Sequence, residues 1–335
     1  MAEVELSTSK PSLARKLADQ REFVLVVILL ATAGGVAIAS PESMTLDNLY
    51  AVLLALSFQA IVAIGMTVLL ISGGFDLSVG STAGLAAAVA GMAMVSGVPV
   101  PAAILLGLGV GAAVGLVNGL FIARIGINPF ITTLGMMGVV RGLVDIITQG
   151  RNISGLPDAF KWIGQGTVLG VQHPIIICLV LVAVGDLLLR KSRFLRQNYY
   201  IGGSEKAAVL SGINVNRMKI FNYVLTGVLA AVAGLITAAR FGNVSVTLGK
   251  NLELQVITAV IIGGASLQGG EGTVLGALLG SLLMAMIVTA INIFHVDIYW
   301  NTFIIGATLL VAVLIDVVSK KKRSAGGGWV LCTHL

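Results

Sequence analysis

The chain has 335 residues, of which 57% are hydrophobic and 11% charged, with 42 glycines. A soluble domain carries about 25% charged residues, so a large water-soluble globule is excluded, and several apolar runs are long enough to cross a hydrocarbon core of roughly 30 Å. The net charge of +6 needs no nucleic-acid partner to explain it, because Lys and Arg collect in the cytoplasmic loops of membrane proteins.

Residues 1–22 are polar and of mixed charge and read as a cytoplasmic segment. The apolar run 23–40 ends in Ala37-Ile38-Ala39, which imitates the small-residue cleavage site of a signal peptide. The run is long for such a peptide and the leader longer than needed, so it reads as an uncleaved first span. Charge and turn residues mark further spans at 50–71, 79–97, 101–123, 128–147, 172–189, 219–239, 253–267, 272–294 and 298–318, ten with the first. The fold class expected is an all-α polytopic membrane protein, with a membrane domain of 23–318 and a basic tail of 319–335. The run 253–267 is short for a full crossing and is expected to be tilted, broken or partly re-entrant. Cys178 and Cys332 lie far apart with no metal-ligand neighbour, and no function is assigned to them.

With the N-terminus inside, the cytoplasmic face collects sixteen of the 21 basic residues. They are Lys10, Arg15, Lys16, Arg21 and Arg124, seven between Arg190 and Lys219, and four in 320–323. That asymmetry points to both termini inside. Residues 148–171 then form the longest outer connection, with Trp162 suited to an interface. Residues 190–218 form the longest inner one, and only this loop is expected to hold a folded element of its own.

Polar residues in and beside the spans are few. Around Asp76, in "SGGFDLSVG", Gly73, Gly74 and Ser78 interrupt an apolar stretch, and two readings stay open. Asp76 caps a helix beginning near Leu77, or the glycines break a helix so that freed amides and Ser78 line a cavity or gate. Asn118, Asn128, Thr132 and Thr133 offer amides and hydroxyls to a neutral solute, or bond helix to helix. Arg141 and Asp145, four apart, are expected to pair on one helix face. Glu271 is expected in the first turn of a helix, with a gate as the alternative. His173 and His295 sit at span edges as interfacial polar residues.

Shifting the sequence by 190 residues lays "ISGGFDLSVGSTAGL" (71–85) on "IIGGASLQGGEGTVL" (261–275), which suggests two spans interrupted alike. There is no phosphate loop, paired-histidine metal motif or GxSxG turn, so the chain is expected to be no enzyme and to carry no metal or cofactor. Energy for uphill transport has to come from elsewhere.

In the inner loop, "SEKAAVLSG" reads as Ser204 capping a short helix with Glu205 in its first turn, ended by Gly212. The alternative is a surface helix lying on the lipid headgroups. "GGSEKAAVLSGI" resembles the loop by which the membrane subunits of ABC importers engage their ATPase, whose common form is Glu-Ala-Ala, three residues, then Gly. Ala207, Ala208 and Gly212 keep that spacing, whereas Lys206 displaces Glu205 by one. With "GINPFITTLGMMGVVRGL", "AVIIGGASLQGGEGTVLGALLG" and "WNTFIIGATLLVAVLID", residues 20–320 look like the ribose/xylose/arabinose/galactose class of ABC-importer permeases, which also serves autoinducer 2.

The resemblance implies the ten-helix fold of vitamin B12-type (type II) importers, with the coupling helix between the sixth and seventh spans. It also implies a homo- or heterodimer of permeases in the bilayer, a separate ATP-binding subunit, and a periplasmic sugar-binding protein. "SGGFDLSVG" is a signature of the class. Coupling then falls to Ser204, Glu205, Ala207, Ala208 and Gly212, with a large residue at Ala207 or Ala208 expected to keep the ATPase away. The rivals are a branched-chain amino-acid or nucleoside permease of the same superfamily and, from another class, an ion-coupled secondary transporter.

Overall fold

Short polar side chains and prolines set the helix starts. Thr45 Oγ1 accepts the amide of Asn48, Asn128 Oδ1 that of Phe130, and Thr273 Oγ1 that of Gly276, while Pro129 and Pro174 occupy first turns where no amide is needed. The computed structural model describes residues 21–41, 45–297 and 299–326. Most of the leader 1–22 and the end of the tail, with Cys332 and His334, lie outside the described residues.

The helices are α1 (Arg21–Ala39), α2 (Leu46–Ile71), α3 (Val79–Val95), α4 (Val100–Leu120, prolonged by a π-helical turn Phe121–Ile125) and α5 (Pro129–Thr148). Then come α6 (Asp158–Gln165), a hairpin of β1 (Thr167–Val168) and β2 (Val171–Gln172), and α7 (His173–Lys191). After these follow α8 (Arg193–Gly203), α9 (Glu205–Leu210), α10 (Val215–Phe241), α11 (Leu252–Ile262), α12 (Val274–Ile293) and α13 (Trp300–Gly326). Seven of the described helices (α2, α4, α5, α7, α10, α12 and α13) are long and apolar enough to cross a membrane. Three shorter apolar helices, α1, α3 and α11, occupy the runs expected as the first, third and eighth spans. The chain is an all-α polytopic membrane protein.

The centre of the bundle is α2. It is 89% buried over its most apolar stretch, against 22% for α4 and α5 and 11% for α13. Helices α7, α10, α11 and α12 pack around it. Lipid tails supply no hydrophobic drive between helices, so close backbone approach matters. On α4, Gly111, Gly115 and Gly119 recur every fourth residue and lie against Gly227, the Tyr223 carbonyl and Ile220 of α10.

The short α11 has a structural cause. Beyond α10, residues 242–251 do not stay at the end of the bundle but run back along α3. Val244 lies by Gly91, Leu248 by Gly84 and Gly249 by Gly80. The eleven steps from Gly80 to Gly91 along α3 measure about 16 Å, so α11 begins part-way through the bundle. The run 253–267, expected to be tilted, broken or partly re-entrant, thus holds only the eleven-residue α11.

Three expectations need correction. Residues 148–171 also fold: α6 and the hairpin cap that end of the bundle, Ile153 bridges Val244, and α6 packs on α10. His173 is buried there, with Nδ1 2.9 Å from the Trp162 carbonyl. Arg141 does not bridge to Asp145; its guanidinium donates to the carbonyls of Val246 (3.3 Å) and Leu248 (3.1 Å) on the descending segment. Glu271 is not in a first turn, because α12 starts at Val274 behind the Thr273 cap.

A side chain at Gly227 would meet the Gly111 carbonyl and force α4 off α10, whereas one at Gly109 meets nothing. Gly227→Val is therefore expected to lose about 1–3 kcal/mol and Gly109→Val almost none. In a Cys332→Ser background, the buried thiol of Cys178 reports unfolding in detergent by its reactivity, and equal midpoints for the two variants would refute the packing account.

Candidate functional site

The loop 190–218 folds as two helices set at an angle by their caps. Ser192 Oγ takes the amide of Leu195 at the start of α8, and Ser204 Oγ takes that of Ala207 (3.3 Å) at the start of α9. Gly212 ends α9 at φ +82°, with its amide on Val209 and that of Ile213 on Ala208, a Schellman closure. Glu205 is held by Lys219, whose Nζ lies 2.9 Å from both carboxylate oxygens. Its extra step from the alanines thus turns it towards α10.

The alanines do not share a face. Ala208 is buried, packed with Ile201, Val215 and Met218 in a small core separate from that of the bundle. It anchors α9 to α8 and α10 and cannot itself touch a partner, which corrects the expectation that both alanines face outward. The outward surface is Ala207 with Val209 and Leu210, the last 89% exposed.

From this module α8 reaches the two interruptions of the bundle. A side chain on Gly202 would collide with the Ile71 carbonyl and the Gly270 amide, so backbone meets backbone at both. Gly270 N donates to Ile71 O (2.8 Å), joining the interruptions to each other. Tyr199 donates its hydroxyl to Gly272 O (2.8 Å). Asn222 of α10 donates through Nδ2 to Asn198 of α8 (2.8 Å) and to Ser72 at the end of α2 (3.2 Å), with all three residues buried. A cleft of about 330 Å³ opens among Gly73, Gly74, Ser204, Glu205, Lys219 and Gln268.

The two interruptions are built alike. Helix α2 ends with Gly73 at φ +80° and α11 with Gly264 at φ +93°. In each, the glycine amide and the next one return to carbonyls of the last turn, a closure that needs a left-handed residue and so favours glycine. Further on, Asp76 Oδ1 accepts the amide of Ser78 (2.7 Å), and Ser266 Oγ that of Gln268 (3.0 Å). These pairs lie at the 190-residue offset seen in the sequence.

Asp76 is buried and answers to its neighbours. Oδ1 also accepts the Ser78 hydroxyl (2.6 Å), and Asn118 of α4 donates through Nδ2 to Asp76 Oδ2 (3.3 Å) and Ser78 Oγ (3.0 Å). The N-cap position of α3 is Ser78, not Asp76, and the helix begins at Val79 rather than near Leu77. Asp76 takes up the amide just ahead of the helix and ties that turn to α4. Tyr223 adds a bond from its hydroxyl to the Phe75 carbonyl (3.1 Å).

The remaining pathway candidates scatter. Gly73 and Gly74 line the cleft. Asn128 is the exposed cap of α5, and Thr133 donates to Pro129 O within its own helix. Thr132 is buried with its hydroxyl unpaired. Asn198, Tyr199 and Asn222 escaped the sequence reading, as did Gln59 and Gln255, whose amides meet at 2.6 Å between α2 and α11. Gln59 had a signal, being a lone amide amid the apolar run 50–71.

Residues 48–313 match the family model described as branched-chain amino acid transport system / permease component. The ribose import permease protein RbsC of Haemophilus influenzae is 37% identical over 313 residues, covering 92% of this chain and 96% of its own. RbsC of Bacillus subtilis (strain 168) is 38% identical over 305 residues, covering 90% and 91%. The autoinducer 2 import system permease protein LsrC of Enterobacter sp. (strain 638) is 33% identical over 302 residues, covering 90% and 88%. No solved structure matches the chain.

Replacing Asn222 by Leu leaves the Asn198 carbonyl oxygen and the Ser72 hydroxyl without that partner. A cost of about 1–3 kcal/mol is expected, centred on the α8–α2 contact. Limited proteolysis should cut between 193 and 212 faster in Asn222→Leu than in wild type, and an unchanged rate there would contradict the tie.

Proposed function

We propose, for a chain that belongs to the branched-chain amino acid transport system / permease component family, that it is the transmembrane subunit of an ABC importer and forms the passage for a monosaccharide or a similar small neutral solute. ATP binding and hydrolysis belong to a separate subunit, a periplasmic binding protein delivers the solute, and a second permease subunit completes the passage in the bacterial inner membrane. The names of the relatives, ribose import permease above all, support the sugar reading. The family description admits branched-chain amino acids, but a zwitterion needs fixed charges of both signs along its route, and the interior charges identified above are engaged structurally. A vitamin B12-type fold with ten spans and both termini cytoplasmic fits the apolar helices and the basic residues.

The observation that carries the reading is the α8–α9 module. It offers an apolar tip, Val209 and Leu210, outside the bundle, and its inner helix abuts both glycine interruptions. An ATPase that shifts α9 moves α8 with it through the Ala208 core, while the Glu205–Lys219 pair ties α9 to α10. Helix α8 in turn displaces the turns that lead into α3 and α12. The transporter then has two states, and nucleotide on the partner biases them.

Leu210→Asp and Ala207→Trp alter only the outer face of α9. Each should leave the subunit's abundance and thermal stability unchanged while lowering sugar uptake and ATPase co-purification about tenfold, equivalent to about 1.4 kcal/mol of docking energy. Ala208→Trp should instead destabilise the subunit by overfilling the small core. Wild-type uptake and ATPase recovery in the first two variants would reject the docking surface. Lys206→Cys, on the same module, should be labelled by an impermeant maleimide only from the cytoplasmic side, and labelling from the periplasm would invert the topology.

A further inference from the structure

Two asparagine–tyrosine pairs meet where α8 contacts α10, Asn198 and Tyr199 on the first helix and Asn222 and Tyr223 on the second. The asparagines bond to each other, and each tyrosine hydroxyl reaches a different interruption. Tyr199 donates to the Gly272 carbonyl and Tyr223 to the Phe75 carbonyl. Asn222 Nδ2 serves Asn198 Oδ1 (2.8 Å) and Ser72 Oγ (3.2 Å) together, while Asn222 Oδ1 and Asn198 Nδ2 are buried without a hydrogen-bond partner. One unused acceptor and one unused donor thus sit on the same two side chains, both shut off from solvent. An apolar contact would pack as well, and groups left unmet in this way are costly and call for an account.

A reversal of the joint uses both groups. The two ends of a carboxamide differ in hydrogen bonding but hardly in shape, so turning both amides over leaves the packing as it is. Asn198 Nδ2 then donates to Asn222 Oδ1, and the Ser72 hydroxyl swings to the same oxygen. In the structure that hydroxyl donates to Leu69 O (2.8 Å), the carbonyl that also takes the Gly74 amide where α2 closes. Reversal therefore frees the end of α2 from one of its ties. Ser72 borders the cleft of about 330 Å³ between the module and the first interruption, which gives its hydroxyl room to turn. Phe194 of α8 and Phe221 of α10, edge to face at 5.0 Å, hold the two helices together in either arrangement.

We infer that Asn198 and Asn222 are positioning residues for transport. They form a joint whose hydrogen bonds reverse as the ATPase moves the module, gripping the end of α2 in one state and releasing it in the other. The inference rests on the functional reading above and adds the side chains that pass the motion of α9 to the interruptions. A two-state element needs a set of bonds for each state, and the unmet donor and acceptor supply the second set. The tyrosine beside each asparagine carries the change onward, because its hydroxyl is fixed to an interruption.

The test uses the whole importer, permease with its ATPase and binding protein, in proteoliposomes with radiolabelled ribose and a panel of other neutral monosaccharides. Asn198→Leu/Asn222→Leu replaces both amides at once, which is close to neutral for folding, so abundance and ATPase co-purification should stay at wild-type values. Hydrolysis should continue, but sugar moved per ATP hydrolysed should fall about tenfold, the bias that one hydrogen bond gives a two-state equilibrium. A role in stability alone predicts no change in that ratio. Gln268 is exposed and lines the cleft. In a background without other cysteines, Gln268→Cys should react with a maleimide at different rates in the nucleotide-free complex and in one trapped with ATP and vanadate. With the double variant added, the two rates should be equal. Where the double variant does not accumulate, Tyr199→Phe and Tyr223→Phe, each losing one hydroxyl, take its place and should show the same uncoupling in smaller measure. An unchanged ratio of sugar to ATP, or equal labelling rates in the two wild-type states, overturns the inference while wild-type sugar uptake keeps the functional reading. If the wild-type complex imports no sugar of the panel, both fall together.

Discussion

A polypeptide inside a bilayer has no water to satisfy its backbone, so each amide and carbonyl freed from a helix needs a partner within the protein. The structure is arranged around three places where helix is given up: 72–78, 242–251 and 263–273. At the first and third, glycine closures return amides to the preceding turn, and Asp76 and Ser266 take up further ones. At the second, Arg141 supplies the Val246 and Leu248 carbonyls, Asn152 accepts the amide of Val246, and Val244 pairs with Ile153. Several of the buried polar side chains, Ser72, Asp76, Ser78, Asn118, Asn222 and Ser266 among them, serve these breaks, while others such as Thr67, Thr226 and Thr258 bond back within their own helices.

That accounting also explains where the module of α8 and α9 sits. The carbonyl of Ile71 is met by the Gly270 amide, and Gly202 is small enough to let α8 approach both. A surface helix laid on lipid would not require Gly202, Tyr199 or Asn198 to reach into the bundle. The module is fixed from inside by Ala208 and leaves Leu210 outside. A rigid lever with an apolar tip has little use unless something takes hold of the tip, and the interruptions it touches are where helices can change their angle with least loss of packing.

The apolar runs were legible because length and hydropathy alone mark a spanning helix, and the helix-end residues Ser204 and Gly212 were legible because their roles are local, whereas the capping role of Asn128 was not read. Contacts between distant segments were not. The end residues Ser204 and Gly212 marked α9 as a short helix but not which alanine turned inward, because that depends on Met218 in another helix. Spacing suggested an Arg141–Asp145 pair, yet tertiary structure offered Arg141 two carbonyls that lacked donors. The fold of 148–171 was missed because its hairpin has only two residues per strand and depends on the end of α10 for support.

The economy of charge bears on what can pass. A passage for ions or zwitterions needs fixed charges that stay available to the solute, and such charges are expensive in a membrane unless paired or bonded. Here Arg141 is committed to carbonyls and Asp76 to Ser78 and Asn118. Uncharged groups left uncommitted in the interior include one end of the Gln59 amide and the Thr237 oxygen. Groups of this sort bind hydroxyls well and full charges poorly. The same descending segment whose carbonyls engage Arg141 also lines a hollow beside α2, through Leu248, Gly249 and Lys250.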